Sequence, residues 1–151
     1  MTTIMDTQEK TMDTVTSKNV AIAEMVGWEA KKTLLGETLI WISKEHNHLV
    51  PNFKHTMNGK YYCLPQELLF HSDANWQYEA LDWLDSFDNG KEYVEFMMME
   101  KTNIGIYVRD KQTGLTYFEY LTVLQDVKFN TRKEAVFEAL FQFSQYLKQQ
   151  K

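Results

Sequence analysis

The sequence predicts an α/β protein of the α+β type, with helices packed on a mainly antiparallel sheet in an α-β-α sandwich. Two amphipathic helical patterns, over residues 72–87 and 131–149, frame the C-terminal half of the chain. Between them lies a run of aromatic and β-branched residues with short connections, which favours antiparallel hairpins. Several of these strand patterns carry large apolar groups on both faces, so we expect a sheet that is covered on both sides.

Length and composition indicate one compact domain. With 151 residues, of which 44% are hydrophobic, the chain can bury a core without a disulfide or a metal. We expect a polar, Thr-rich and frayed tail over residues 1–16, followed by a single domain over residues 17–151. The single cysteine, Cys63, cannot form an internal disulfide, which favours a reducing compartment.

Charge and hydropathy narrow the range of partners. No segment has the roughly 18 apolar residues of a membrane span, and the first residues lack the apolar core of a signal peptide. We therefore expect a cytoplasmic protein with no membrane contact. The chain has 21 acidic and 16 basic residues, so it is a poor match for nucleic acid, whose phosphates are bound through Lys and Arg.

The first predicted element is a short helix over residues 17–26. Ser17 or Asn19 can cap it by accepting a hydrogen bond from a free backbone N–H at its start. Gly27 can adopt the left-handed conformation that ends a helix. So short a helix is unstable alone, so we expect its apolar side to dock on the rest of the fold.

Two strands are expected in the N-terminal half, over residues 38–43 and 60–64. Residues 45–58 are polar and are predicted to form a loop. Pro65 keeps the residue before it extended and separates the second strand from the next segment of the chain. Residues 68–70 form either a short apolar strand or the lead-in to the next helix.

The helix over residues 72–87 carries one apolar stripe, which comprises Trp76, Ala80, Trp83, Leu84 and Phe87. Asp73 suits its positive N-terminal end, and Asn89-Gly90 supplies its stop. Strands are then expected over residues 94–98, 104–108 and 115–124, because apolar residues alternate or cluster there.

The last helix begins with a capping box, Thr131 and Glu134, whose side chains can satisfy backbone N–H groups of the first turn. Its apolar face comprises Val136, Leu140, Phe143 and Leu147.

Three segments together resemble a small phage and prophage family, the phage ABA sandwich domain. They are residues 19–28 (NVAIAEMVGW), 69–80 (LFHSDANWQYEA) and 130–139 (NTRKEAVFEA). The resemblance implies a sheet layered between helices and a phage-encoded or prophage-encoded protein. It implies no known activity and supplies no catalytic residues.

The loop histidines His46, His48 and His55 are the candidate metal ligands. An H-x-H pair can bind zinc if a third ligand completes the site. We expect them instead to be solvated loop residues, because short motifs of this kind arise often by chance. No cofactor is predicted.

Two further groups of residues can be interpreted either as a functional site or as ordinary structure. Cys63, His71 and Asp73 are the residue types of a nucleophile, a base and an orienting acid. We expect Cys63 to be a small buried thiol, because its neighbours are apolar. The Ser72-Asp73 pair can bind an anion at a helix N-terminus, but a simple helix cap explains it.

A possible interaction surface comprises Trp28, Trp41, Met97, Met99, Asp82 and Asp85. Tryptophan often anchors a partner, but we favour core packing for Trp28 and Trp41. Methionine adapts to irregular surfaces. The two aspartates lie on the solvated face of their helix, where a basic partner can approach.

The sequence therefore predicts a non-enzymatic accessory protein that binds a host or phage macromolecule, with a protein partner or self-association. The alternative is a small-molecule or metal-binding protein, or a hydrolase, that uses the loop histidines.

Overall fold

The computed structural model describes residues 13–43 and 55–150. The chain forms two compact units, one ending at Leu68 and the other beginning at Leu69. Each contains an antiparallel sheet and helix, so the predicted α+β class, with a mainly antiparallel sheet, is confirmed. The single domain predicted over residues 17–151 stays a prediction, because compact units of one chain can still unfold together.

The N-terminal unit contains helix α1, Thr14–Met25, which begins earlier than predicted. Its N-cap is Asp13, whose Oδ1 accepts a hydrogen bond from the backbone N–H of Thr16 at 2.7 Å. The prediction that Ser17 or Asn19 caps the helix is therefore wrong. Asn19 lies within the helix and is buried.

Two predictions concern the ends of α1, a frayed tail before the helix and a helix stop at Gly27. Residues 1–12 lie outside the described residues, whereas residues 13–16 belong to the cap and first turn rather than to a tail. Gly27 lies just after the helix with a φ of +99°, which confirms the predicted stop. The helix packs against the next strand and against a 3₁₀ turn at Pro65–Glu67.

The described part of this unit contains four strands, β1 (Glu29–Lys32), β2 (Thr38–Trp41), β3 (His55–Met57) and β4 (Lys60–Cys63). They form one antiparallel sheet in the order β1-β2-β4-β3. Strands β2 and β4 were predicted, whereas β1 was missed. The segment of β3 was predicted to be loop, and that prediction is wrong.

A two-residue turn explains β3. Asn58 and Gly59 have φ values of 55° and 77°, and they join Met57 to its cross-strand partner Lys60. An Asn-Gly pair favours this tight hairpin because both residues tolerate positive φ. Residues 68–70 are not a strand, so their alternative role as a lead-in to the next helix is the one observed.

The C-terminal unit contains the predicted meander, made of β5 (Glu92–Met98), β6 (Ile104–Asp110) and β7 (Thr116–Leu121). The strands are antiparallel and lie in the order β5-β6-β7. Ile104, Ile106 and Val108 alternate along β6 and are fully buried. This alternation directs them to one face of the sheet, where they form its core.

The opposite face of this sheet is more polar. Arg109 pairs with Glu95 at 3.2 Å (Nη1 to Oε1), and its guanidinium lies 4.7 Å from the centre of the Tyr107 ring. Gly105 lies two residues before Tyr107 on the same strand. A Cβ at Gly105 would be 2.8 Å from Cδ2 of Leu121, so the missing side chain lets that leucine cover the backbone.

Helix α2, Ala74–Asp85, has the predicted apolar stripe. Asp73 is its N-cap and accepts a hydrogen bond from the backbone N–H of Asn75 at 2.8 Å. Trp76, Ala80 and Leu84 are fully buried. The helix ends before Phe87, which was predicted to lie within it.

Helix α3, Arg132–Gln149, packs on β6 and β7 and touches α2. Thr131 accepts a hydrogen bond from the backbone N–H of Glu134 at 3.2 Å, which confirms the predicted cap. Phe143 is fully buried at the meeting point, with ring centres 5.8 Å from Phe87 and 6.2 Å from Phe118 of β7. Both helices therefore share the apolar face of the sheet.

A buried glutamine joins the two helices. Nε2 of Gln77 donates to the backbone oxygens of Phe70 and Lys133, both at 2.9 Å. Its side chain lies at a helix position adjacent to the apolar stripe and is buried. A buried polar group is stable only when it is hydrogen-bonded, so these two bonds fix where α3 begins relative to α2.

We expect Gln77→Met to lower the free energy of unfolding by about 1–3 kcal/mol, because it removes the donor from the buried carbonyl oxygen of Phe70 and from the partly buried one of Lys133. Urea unfolding followed by circular dichroism measures the change. Gln112→Met, in an exposed turn, is the matched control and should leave stability nearly unchanged. Equal unfolding curves for the two variants would contradict this role of Gln77.

Candidate interaction site

His55 is the one predicted metal ligand that the structure places. His46 and His48 lie outside the described residues. Nε2 of His55 lies 3.1 and 3.2 Å from the carboxylate oxygens of Glu67, and its ring stacks on Tyr62 at 5.0 Å. Within residues 13–43 and 55–150, no group of three or more His, Cys, Asp or Glu side chains is placed to hold a metal ion.

The residues of the hypothetical triad have separate structural roles. Cys63 is 1% exposed, which confirms the expectation of a small buried thiol. The ring of His71 packs against Phe137 at 5.9 Å. Asp73 caps α2, as the structural interpretation of Ser72-Asp73 requires.

The predicted interaction residues divide into buried and exposed groups. Trp28 is buried, which confirms the favoured role in the core and excludes the alternative role as a surface anchor. Trp41 is half-buried and packs against Tyr62 at 5.1 Å. The exposed members are Met97, Met99, Asp82 and Asp85.

One end of the C-terminal sheet is held together by Thr122, the first residue after β7. Its hydroxyl donates to the backbone oxygen of Thr102 at 2.6 Å and accepts from the backbone N–H of Ile104 at 2.9 Å. Further along, Nε of Arg132 donates to the backbone oxygen of Lys101 at 2.9 Å. The link from β7 to α3 is thus tied at both ends to the β5–β6 turn.

Between these two ties the link exposes aliphatic side chains. Val123, Leu124 and Val127 are 63%, 70% and 65% exposed. The nearby end of β5 adds Met97, Met98 and Met99, which are also exposed. We call these six residues the apolar end. Exposed apolar groups that are concentrated in this way are typical of interaction sites.

A cleft of about 300 Å³ lies beside the link. Its lining comprises Thr102, Asn103, Thr122, Val123, Gln125, Asp126, Val127, Lys128 and Phe129. This volume is at the lower limit for a small-molecule pocket. The lining mixes aliphatic groups with hydroxyl and amide groups and one charge of each sign, a mixture that suits a peptide or a protein side chain.

The link at residues 122–131 was not predicted as a unit. Residues up to 124 were expected to be strand and Thr131 to cap the last helix, whereas residues 125–129 had no predicted role. The sequence does contain an indication of this site. Val123, Leu124 and Val127 are aliphatic residues in a short connection, where polar turn residues are usual.

A second exposed apolar feature lies in the N-terminal unit, at the β1–β2 turn. Leu34 and Leu35 are 107% and 92% exposed. The turn itself is well formed, because the backbone N–H of Thr33 donates to Glu37 at 2.7 Å and Gly36 has a φ of +90°. No role was predicted for these leucines from the sequence.

Comparisons with known proteins add no family. No protein-family model, no curated protein and no solved structure matches the chain. Among the described residues, no helix is both long and apolar enough to cross a lipid bilayer.

A carboxylate with a lowered pKa lies at the opposite end of the C-terminal sheet, in the β6–β7 turn. The carboxylate of Asp110 accepts backbone N–H bonds from Gln112 and Thr113 at 2.8 and 2.9 Å, and the hydroxyl of Tyr117 at 2.7 Å. The bond from Thr113, then those from Tyr117 and Gln112, lowers the pKa of Asp110 from 3.8 to about 2. The ionised form is thus favoured in the folded chain.

Because its folded pKa is lowered, Asp110 stabilises the fold above about pH 4, and this contribution is lost as the pH falls towards 2. We expect the melting temperature of Asp110→Asn to fall less steeply over this range than that of the unaltered protein. Tyr117→Phe, which removes one of the three donors, should give an intermediate slope. Parallel pH profiles for all three would show that Asp110 does not contribute.

Burial, and then the charge of Glu67, raises the pKa of the Cys63 thiol to about 12. We expect no reaction of the native protein with a disulfide reagent at pH 8, and one reactive thiol per chain in urea, because the thiolate is the reacting form. A Gln112→Cys variant, with an added thiol in an exposed turn, is the positive control. Rapid labelling of Cys63 in the native protein would contradict this environment.

Proposed function

We propose that this chain is a non-enzymatic accessory protein, encoded by a phage or prophage, that binds a protein through the apolar end. The observation that carries the proposal is the link after β7, which is held at both ends by Thr122 and Arg132 and yet exposes three aliphatic side chains. The phage origin and the place of action, the bacterial host cytoplasm, are supported by the three-segment sequence resemblance.

The fixed geometry of the link favours binding. A flexible segment loses conformational freedom when a partner immobilises it, and this cost weakens the complex. Here the cost is reduced, because hydrogen bonds to the β5–β6 turn already hold the link. Val123, Leu124 and Val127 still expose most of their surface, so a partner that covers them gains hydrophobic stabilisation, although less than the roughly 1.5–3 kcal/mol of a fully exposed side chain.

The charges around the apolar end favour a protein partner. Glu100, Asp126 and Glu134 are interspersed with Lys101, Lys128, Arg132 and Lys133, so neither sign is concentrated there. A surface that binds nucleic acid carries a concentration of Lys and Arg, because each phosphate is negative. An apolar centre with a rim of both charge signs is instead the usual arrangement of a protein interface.

The methionines extend this surface along β5. Met97 and Met98 end β5, and Met99 begins the β5–β6 turn, which contains Thr102, the partner of Thr122. Methionine side chains are flexible and polarisable, so they can pack against partner surfaces of different shape.

A photo-crosslinking residue placed at Leu124 tests the proposal in bacterial cells. We expect a discrete adduct with one protein other than this chain, because Leu124 lies at the centre of the apolar end. The same residue at Gln112, in the turn at the opposite end of the sheet, is the matched control and should give no such adduct.

Variants at a second position test whether the adduct depends on the apolar contact. Val127→Asp should abolish the adduct formed at Leu124, because it places a charge in the apolar contact. Gln112→Asp, which adds the same charge away from the site, should leave the adduct unchanged. The proposal fails if the two crosslinking positions give the same adducts, or if the Leu124 adduct survives Val127→Asp.

A further inference from the structure

Half of the apolar end consists of three consecutive methionines, Met97, Met98 and Met99, which are 37%, 37% and 51% exposed. Their exposure has a structural reason at two of the positions. Met97 lies opposite Gly105, which has no side chain to pack against it, and Met99 lies beyond the last residue of β5. The three side chains therefore contact solvent in the folded chain.

A solvent-exposed thioether reacts with hydrogen peroxide. The sulfur lone pair attacks one oxygen, and an S–O bond forms as the O–O bond breaks. The other oxygen leaves as hydroxide, which takes the remaining hydroxyl proton and becomes water. Sulfur is oxidised and the peroxide is reduced, so each methionine sulfoxide consumes one peroxide. The product is a polar, chiral side chain in place of a flexible apolar one.

The cysteine of the chain does not compete for the oxidant. Cys63 is buried, and burial, followed by the charge of Glu67, raises the pKa of its thiol to about 12. The thiolate, which is the reactive form, is therefore rare at neutral pH. Of the described methionines outside the apolar end, Met25 is half-buried, whereas Met57 is 47% exposed and lies in β3 of the N-terminal unit. Met57 thus provides an internal comparison.

We propose that Met97, Met98 and Met99 are an oxidation site that controls partner binding at the apolar end. This control rests on the proposed function, because it regulates the same surface. A sulfoxide oxygen is a hydrogen-bond acceptor, and burying it against the aliphatic side chains of a contact without a donor is unfavourable. The reduced chain therefore binds its partner, and the oxidised chain releases it.

The fold is expected to survive this oxidation, because the three side chains lie at the margin of the core. The residues of β6 that form the core, Ile104, Ile106 and Val108, are fully buried and contain no sulfur. The β5–β6 turn is closed through the backbone, since the N–H of Met99 donates to the backbone oxygen of Asn103 at 2.9 Å. A loss of binding can therefore be separated from a loss of structure, which circular dichroism measures.

Photo-crosslinking before and after oxidation tests the proposal. The purified chain with the photo-crosslinking residue at Leu124 is treated with dilute hydrogen peroxide, freed of the oxidant and illuminated in a bacterial lysate. Peptide mass spectrometry locates the added oxygen. We expect the yield of the adduct to fall by about tenfold or more, which is the effect of burying a polar group without a hydrogen bond. Methionine sulfoxide reductases for both sulfoxide epimers, supplied with a thiol, should restore the adduct.

Leucine variants identify the methionines that are responsible. The triple variant Met97→Leu, Met98→Leu and Met99→Leu keeps an apolar surface of similar volume that peroxide cannot oxidise. Its adduct should survive the treatment. Met57→Leu protects a similarly exposed methionine away from the apolar end. It is the matched control and should lose the adduct as the unaltered chain does.

Two kinds of failure are distinguishable. If the untreated chain gives no adduct, the proposed function is wrong and the oxidative control fails with it. If the untreated chain gives the adduct and the oxidised chain gives it undiminished, the control alone is overturned. Unoxidised Met97, Met98 and Met99, unfolding of the oxidised chain, or equal losses in the triple variant and the unaltered chain would also overturn it. If the triple variant gives no adduct before treatment, the reductases decide, since failure to restore the adduct overturns the control.

Discussion

The burial of Phe143 against the C-terminal sheet is the contact on which the rest of that unit depends. This ring lies within 6.5 Å of the rings of Trp83, Phe87, Phe118 and Tyr146, measured between ring centres. The contacts bring two helices and the last strand to one point. Because burial of apolar surface is the main favourable term in folding, this cluster holds the second half of α3 against β7.

The position of the link follows from where β7 ends and α3 begins. Once β7 and α3 are fixed, the residues between them must cross one end of the sheet. Thr122 and Arg132 then hold the crossing against the β5–β6 turn through hydrogen bonds to backbone oxygens. The aliphatic side chains between these two residues have no place in the core, since the helices already fill the apolar face. Their exposure is therefore a consequence of the architecture.

Long periodic elements could be predicted from the sequence, and short ones could not. Repeating local patterns predict the stripe of α2 and the three-strand meander. A short local motif predicts the capping residue of α3. Strand β1 could not be recognised in the same way, because its residues EAKK have little apolar alternation and its pairing depends on β2. Strand β3 was missed for a different reason, since the Asn58-Gly59 signal was present and was treated as part of a loop.

The candidate site was predictable only in part. Met97 and Met99 were recognised from their residue type, whereas Trp28 has the same kind of signal and is buried. Whether an aromatic residue lies in the core or on the surface depends on contacts that are distant in sequence. The apolar end likewise exists because the β5–β6 turn and the β7–α3 link meet in space, and the two segments are separated by the whole of β6 and β7.

Gly105 sets a limit on how relatives of this chain can differ. The space that a larger residue would need is occupied by Cδ2 of Leu121, which is the mobile tip of a side chain and not part of the backbone. A descendant sequence can therefore acquire alanine at this position if a smaller residue replaces Leu121. Substitutions at the two positions should accordingly appear as a correlated pair, and such a pair would help to recognise distant members of this lineage.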